Sequence, residues 1–159
     1  MKIIEATVLA QTAKIAIIIS RFNYFINKHL LDGTLNTLKR IGQIKDENIT
    51  IIYVPGTFEI PIIAHTIANK KKYNAIIVLG TIIKGSTVHF SLLSNEVIKQ
   101  VSKISTQYNI PISFGIITAN NIQQAIERAG TKIGNKGSES ALVALEMINI
   151  IDTINKNQI

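Results

Sequence analysis

Apolar and β-branched residues gather in short unbroken runs along this chain: K-I-A-I-I-I from Lys14 to Ile19, I-T-I-I-Y-V from Ile49 to Val54, A-I-I-V-L from Ala75 to Leu79 and I-S-F-G-I-I-T from Ile112 to Thr118. The runs are continuous rather than alternating, so they predict strands covered on both faces, as in a parallel sheet. Between them the spacing turns helical. Leu31, Leu35 and Leu38 share one side of the first such segment, Ile63 and Ile67 of the second, and Leu93, Val97, Val101, Ile104 and Tyr108 of the third. A short helical segment follows from Ile122 to Ala129, and a longer one from Lys136 to Ile150. Strict alternation of strand and helix implies right-handed crossovers and a three-layer α/β sandwich around a four-stranded parallel sheet. Met1 to Ala10 stands outside this order, yet Ile3, Ile4, Val8 and Leu9 give it strand character. An apolar terminal strand needs an edge to pair with, either in its own sheet or in a neighbouring subunit.

Composition narrows the picture. A chain of 159 residues with 47% hydrophobic and 17% charged content fits a single domain, 1–159, with no linker or repeat. The absence of Cys excludes a disulfide scaffold, a thiolate metal site and a cysteine nucleophile. Lys or Asn interrupts every apolar run short of a membrane span, and Glu5 breaks the first stretch before it could form a signal-peptide core, so a soluble cytoplasmic protein is expected, with no membrane partner. The formal charge of +7 would suit nucleic acid or a phosphorylated substrate. Its distribution argues against nucleic acid. Lys70-Lys71-Lys72 is the one run, it follows a helical segment where cations meet the negative end of the helix dipole, and no aromatic residues are interleaved with it.

In an open parallel sheet the ligand site lies beyond the carboxyl ends of the strands. Four exits converge there: Ser20-Arg21-Phe22-Asn23, Pro55-Gly56-Thr57-Phe58-Glu59, Gly80 to His89, and Ala119-Asn120-Asn121. Phe22 is either a platform for a planar heterocycle or a plug over the sheet edge. Glu59, in a helix opening that tolerates Pro61, is either an acceptor for ring N–H groups or simply a carboxylate at the positive helix end. Gly85, Ser86 and Thr87 precede a helix whose free N–H groups could cradle an anion, or they form an ordinary Ser/Thr cap. His89 at the head of that helix is a candidate acid or base beside such an anion. The Gly-rich stretch from Gly130 to Gly137 matches neither a Walker loop nor G-x-G-x-x-G, and no H-E-x-x-H, acidic cluster or G-x-S-x-G elbow is present.

Five blocks together resemble the 6,7-dimethyl-8-ribityllumazine synthase family: S-R-F-N at 20 to 23, V-P-G-T-F-E-I-P at 54 to 61, L-G-T-I-I-K-G-S-T-V-H-F at 79 to 90, F-G-I-I-T at 114 to 118 and Q-A-I-E-R-A-G-T-K-I-G-N-K-G at 124 to 137. The resemblance implies a flavodoxin-like sandwich whose N-terminal strand, residues 1–12, joins a neighbouring subunit's sheet. It implies the penultimate step of riboflavin synthesis, condensing 5-amino-6-(D-ribitylamino)uracil with 3,4-dihydroxy-2-butanone 4-phosphate, without cofactor or metal. By position, Phe22 stacks on the pyrimidine while Thr57, Phe58, Glu59, Thr81, Ile82 and Ile83 hold its polar edge and ribityl chain. Ser86, Thr87 and Arg128 bind the phosphate, and His89 moves protons. Phe114, Arg128 and Lys136 are expected from an adjacent subunit, so the site is shared. A pentamer, or a 60-subunit shell favoured by the short Gly130 to Gly137 connection, is implied, with riboflavin synthase as a candidate partner.

Two positions depart from the family pattern. Ser91 stands two residues after the histidine, where many members carry an acidic residue, and Lys84 stands where Arg is frequent. A hydroxyl orients an imidazole less firmly than a carboxylate, and Lys gives up the planar bidentate geometry of Arg. A non-catalytic flavodoxin-like binding or shell-forming protein is the alternative, disfavoured by the joint presence of His89, Gly85-Ser86-Thr87 and Arg128.

Overall fold

A computed structural model describes residues 1–132 and 134–156 of the chain. Four parallel strands form one sheet in the order β2-β1-β3-β4. They are β1 (Ile15–Ser20), β2 (Ile49–Val54), β3 (Ala75–Ile83) and β4 (Ile112–Ala119). The helices are α1 (Tyr24–Arg40), α2 (Ile60–Asn69), α3 (His89–Tyr108), α4 (Ile122–Arg128) and α5 (Lys136–Lys156).

Side-chain alternation divides the apolar runs between two cores. Ile15, Ile17, Ile19, Ile77, Leu79 and Ile117 pack with α1, α4 and α5 on one face; Ala16, Ile18, Ile76, Val78 and Ile116 pack with α2 and α3 on the other. This is why β1 and most of β3 read as unbroken apolar stretches. β2 departs from that expectation. As an edge strand paired only with β1, it leaves Ile51 and Tyr53 exposed.

Two boundaries also differ from the sequence reading. β3 runs past Gly80 to Ile83 because β4 pairs with it that far, Ile83 facing Ala119. Gly80 ends no strand; a Cβ there would lie 2.7 Å from Thr57 Cγ2, so the glycine admits the turn packed over it. β1 reaches only to Leu79, leaving the last four residues of β3 without a strand neighbour on that side. At the other end of the chain, α5 continues past Ile150 to Lys156.

α1 and α5 approach closely through glycine. A Cβ on Gly137 would meet the Leu30 carbonyl oxygen at 2.0 Å. Asn135 fixes the entry to α5: its Oδ1 accepts from Gly137 N at 2.8 Å and Ser138 N at 3.1 Å, and its Nδ2 donates to His29 O and Ala129 O. Part of the Gly-rich stretch thus has a structural purpose; Ile133 within it lies outside the described residues. Residues 1–14 form no strand in the chain's own sheet. Thr7 and Leu9 are instead tied to α5, Asn149 Nδ2 donating to both their carbonyls, and Ala10 N donates to Gly42 O at 3.1 Å.

Candidate active site

The chain order places β1 between β2 and β3, so successive crossovers leave in opposite directions at the β1 and β3 carboxyl ends, and a crevice opens there. It is a cleft of about 380 Å³ lined by Ser20, Phe22 and Asn23 after β1, Gly56 to Phe58 after β2, Thr81 to Ile83 of β3, and Gly85, Thr87, His89, Phe90 and Leu93 beyond it.

Phe22 is 72% exposed and Phe58 67% exposed. Neither ring plugs the sheet edge, which leaves both as apolar surface that a ligand can cover. The Phe22 turn is tied on both flanks: Arg21 N donates to Val54 O at 2.8 Å and Phe22 N to Pro55 O at 3.1 Å. Asn23 then adopts left-handed backbone (φ 62°) as α1 begins, and its Nδ2 donates to Thr81 O at 2.9 Å. Asn tolerates that conformation better than most residues.

α3 begins at His89 without a side-chain cap on its terminal residue, Val88. Thr87 Oγ1 accepts from His89 N only at 3.4 Å, so the first N–H groups of a 20-residue helix open beside Gly85 and Thr87. His89 is exposed at the cleft wall, above Phe90 and Leu93. Ser91, two residues on, spends its hydroxyl proton on Val88 O at 3.0 Å.

Of the residues singled out from the sequence, Phe22, Thr57, Phe58, Thr81, Ile82, Ile83, Thr87 and His89 line this one cleft. The other expected residues do not line this cleft. Glu59 turns its carboxylate back onto Gly56 N at 2.9 Å, the capping role offered by its place in a helix opening. Ser86 is exposed in the loop without lining the cleft. Phe114 is half-buried on β4 against the α2–α3 layer, Arg128 ends α4, and Lys136 opens α5 with its ammonium 3.4 Å from Glu139. Among the described residues no group of three or more His, Cys, Asp or Glu could hold a metal ion, and no helix is long and apolar enough to cross a membrane.

Sequence reasoning assigns no role to Asn27 or Phe90. Asn27 is fully buried on α1, and the available signal was its place on the helix's apolar stripe, four residues before Leu31.

A family model described as 6,7-dimethyl-8-ribityllumazine synthase matches residues 12–152. The chain belongs to the 6,7-dimethyl-8-ribityllumazine synthase family. A protein of that name from Buchnera aphidicola subsp. Baizongia pistaciae (strain Bp) is 65% identical over 99% of this chain and 100% of its own length. Those from subsp. Schizaphis graminum (strain Sg) and subsp. Acyrthosiphon pisum (strain Tuc7) are 60% and 59% identical, each over 98% of both chains. The parallel four-stranded sandwich agrees with the flavodoxin-like fold that the resemblance implies for this family.

Proposed function

We propose that this cleft condenses 5-amino-6-(D-ribitylamino)uracil with 3,4-dihydroxy-2-butanone 4-phosphate to 6,7-dimethyl-8-ribityllumazine. The observation that carries the reading is the convergence of an exposed aromatic ring, Phe22, an imidazole, His89, and an uncapped helix start in one crevice at the sheet's switch point. The uracil amine attacks the ketone, water leaves as the imine forms, phosphate leaves by elimination, and ring closure releases a second water. Each step is a proton transfer, an addition or an elimination, so no redox partner enters.

Phe22 stacks on the pyrimidine, while Thr57, Phe58, Thr81, Ile82 and Ile83 frame its polar edge and the ribityl chain. Glu59 joins that frame by exchanging its bond to Gly56 N for one to the ring. Thr87 and Ser86 with the first amides of α3 receive the phosphate, and His89 shuttles protons one turn away. Holding two small reactants in register can supply an effective concentration of about 10⁵ M or more, whereas a positioned acid–base adds only about 10²-fold, so placement outweighs His89.

Phe114, Arg128 and Lys136 complete the pocket from a second copy of the chain. Supporting this are the open outer edge of β4 and the fact that these residues do not line the protomer's own cleft. The opposite edge, β2, offers Ile51 and Tyr53 to the N-terminal strand of a neighbour. Assembly is a pentamer that closes into a 60-subunit cytoplasmic shell, in which riboflavin synthase is a fitting partner. Mixing the two substrates with the protein and following lumazine absorbance alongside free phosphate tests the activity: equal yields of both support it, and phosphate without lumazine refutes it. Light scattering near the mass of five chains refutes the shell.

A further inference from the structure

The exposed Phe22 ring has little packing to hold it, so its position depends on its backbone. That backbone is gripped from below by a side chain no substrate reaches. Asn27 is fully buried in the first turn of α1. Its Nδ2 donates to Ser20 O at 2.7 Å and to Phe22 O at 2.8 Å, and its Oδ1 accepts from Thr81 Oγ1 at 2.7 Å. Both amide hydrogens and the carbonyl are used, joining the end of β1, the Phe22 turn and the overhanging part of β3.

An apolar side chain would suit this stripe of α1, since a buried amide is costly unless fully bonded. Leu has no donor to offer, Asp has the shape without the two hydrogens, and Gln has the groups on a longer arm. Only a primary amide of Asn's length meets two carbonyls and a hydroxyl at these distances. Asn23 adds a second tie between the same pieces, from its Nδ2 to Thr81 O.

We infer that Asn27 is a positioning residue of the aromatic subsite, fixing Phe22 and Thr81 relative to one another so that a planar heterocycle meets the ring and the β3 edge together. The inference rests on the cleft's proposed function for its ligand, and it deepens that reading by naming what holds the subsite in shape. Asn27 acts through Phe22 and Thr81 and touches neither substrate.

The test is a double-mutant cycle with Asn27→Leu and Phe22→Ala, read by titration with 6,7-dimethyl-8-ribityllumazine and by steady-state kinetics. In the parent background Asn27→Leu should weaken lumazine binding about tenfold, the equivalent of one or two lost hydrogen bonds. KM for the ribitylaminouracil should rise in parallel, with KM for the phosphorylated ketone unchanged. In the Phe22→Ala background the same substitution should cost less than about twofold, because coupled residues fail to add. Full additivity, or equal weakening of both substrates, overturns the inference. If Asn27→Leu does not fold, Asn27→Ser, which keeps one donor, should show the same coupling with a smaller loss. Should the parent protein bind neither compound, the functional reading fails separately. Amide hydrogen exchange then decides for Asn27: faster exchange at Phe22 in Asn27→Ser, with the middle of α5 unchanged, supports its role, and unchanged exchange at Phe22 overturns it.

Discussion

Gly137→Ala places a methyl group where the fold has no room for one. The added carbon would sit 2.0 Å from the Leu30 carbonyl oxygen and 2.7 Å from Thr34 Oγ1, against a normal carbon–oxygen contact of roughly 3.3 Å. Neither obstacle can step aside. One is helix backbone, and the Thr34 hydroxyl is itself held by a 2.9 Å bond to Leu30 O, so α1 and α5 must separate by about 1 Å. Two effects oppose each other. Alanine favours the helical backbone by at most about 1 kcal/mol over glycine, while overpacking costs about 1–3 kcal/mol and sits at the top of that range when the clash is with main chain. The net is a loss of about 2 kcal/mol, or a fall of roughly 4–8 °C in Tm for a domain of this size. Circular dichroism melting at one fixed protein concentration measures it, since assembly would otherwise shift the midpoint. α1 starts directly after the Phe22 turn, so kcat/KM should fall as well. A variant melting at or above the parent temperature would refute the claim that the two helices are locked at this distance.

Gly85→Ala makes the contrasting case: a Cβ there meets nothing within 4 Å, so Tm should hold while affinity for the phosphorylated ketone drops a few-fold; unchanged affinity would show that the ligand does not approach that backbone. His89→Ala should slow turnover about 10²-fold and leave a measurable rate, and a parental rate would remove His89 from proton transfer. Arg128→Ala should weaken the phosphorylated ketone at least tenfold and leave the uracil substrate untouched, a split that ligand titration checks directly. Partial loss of hydration on the half-exposed ring, then the neighbouring Tyr24, pushes the Tyr53 phenol above its ordinary value of 10.0. Because the neutral form is the one favoured on folding, this stabilisation is complete below pH 10 and disappears as pH rises through the folded value; Tyr53→Phe should flatten the alkaline limb of a stability-versus-pH curve.

The strands were legible because both faces of β1 and β3 are covered, which writes the sheet into the sequence as continuous runs. The order of exits also puts Phe22, Thr57, Thr81 and His89 on one rim. Other features carry no linear signal. Gly80 looks like a strand end, and only its fit under Thr57 shows why the strand continues. Ile51 and Tyr53 have the same letters whether buried or left bare at an edge. Asn27 interrupts an apolar stripe in a way that resembles noise until its three bonds are seen. Phe114, Arg128 and Lys136 came from the family resemblance alone, since nothing in one chain brings them to the cleft wall.

The overhang of β3 past the end of β1 has a wider consequence. From Gly80 to Ile83 one side of the strand faces the crevice rather than another strand, with Asn23 occupying the Thr81 carbonyl. Under the proposed function, a flat heterocycle laid there would take the place of the missing strand neighbour and be read by peptide groups that every amino acid supplies. Such recognition is insulated from side-chain substitution: the letters of the strand can change widely while that part of the ligand's address stays encoded in the main chain.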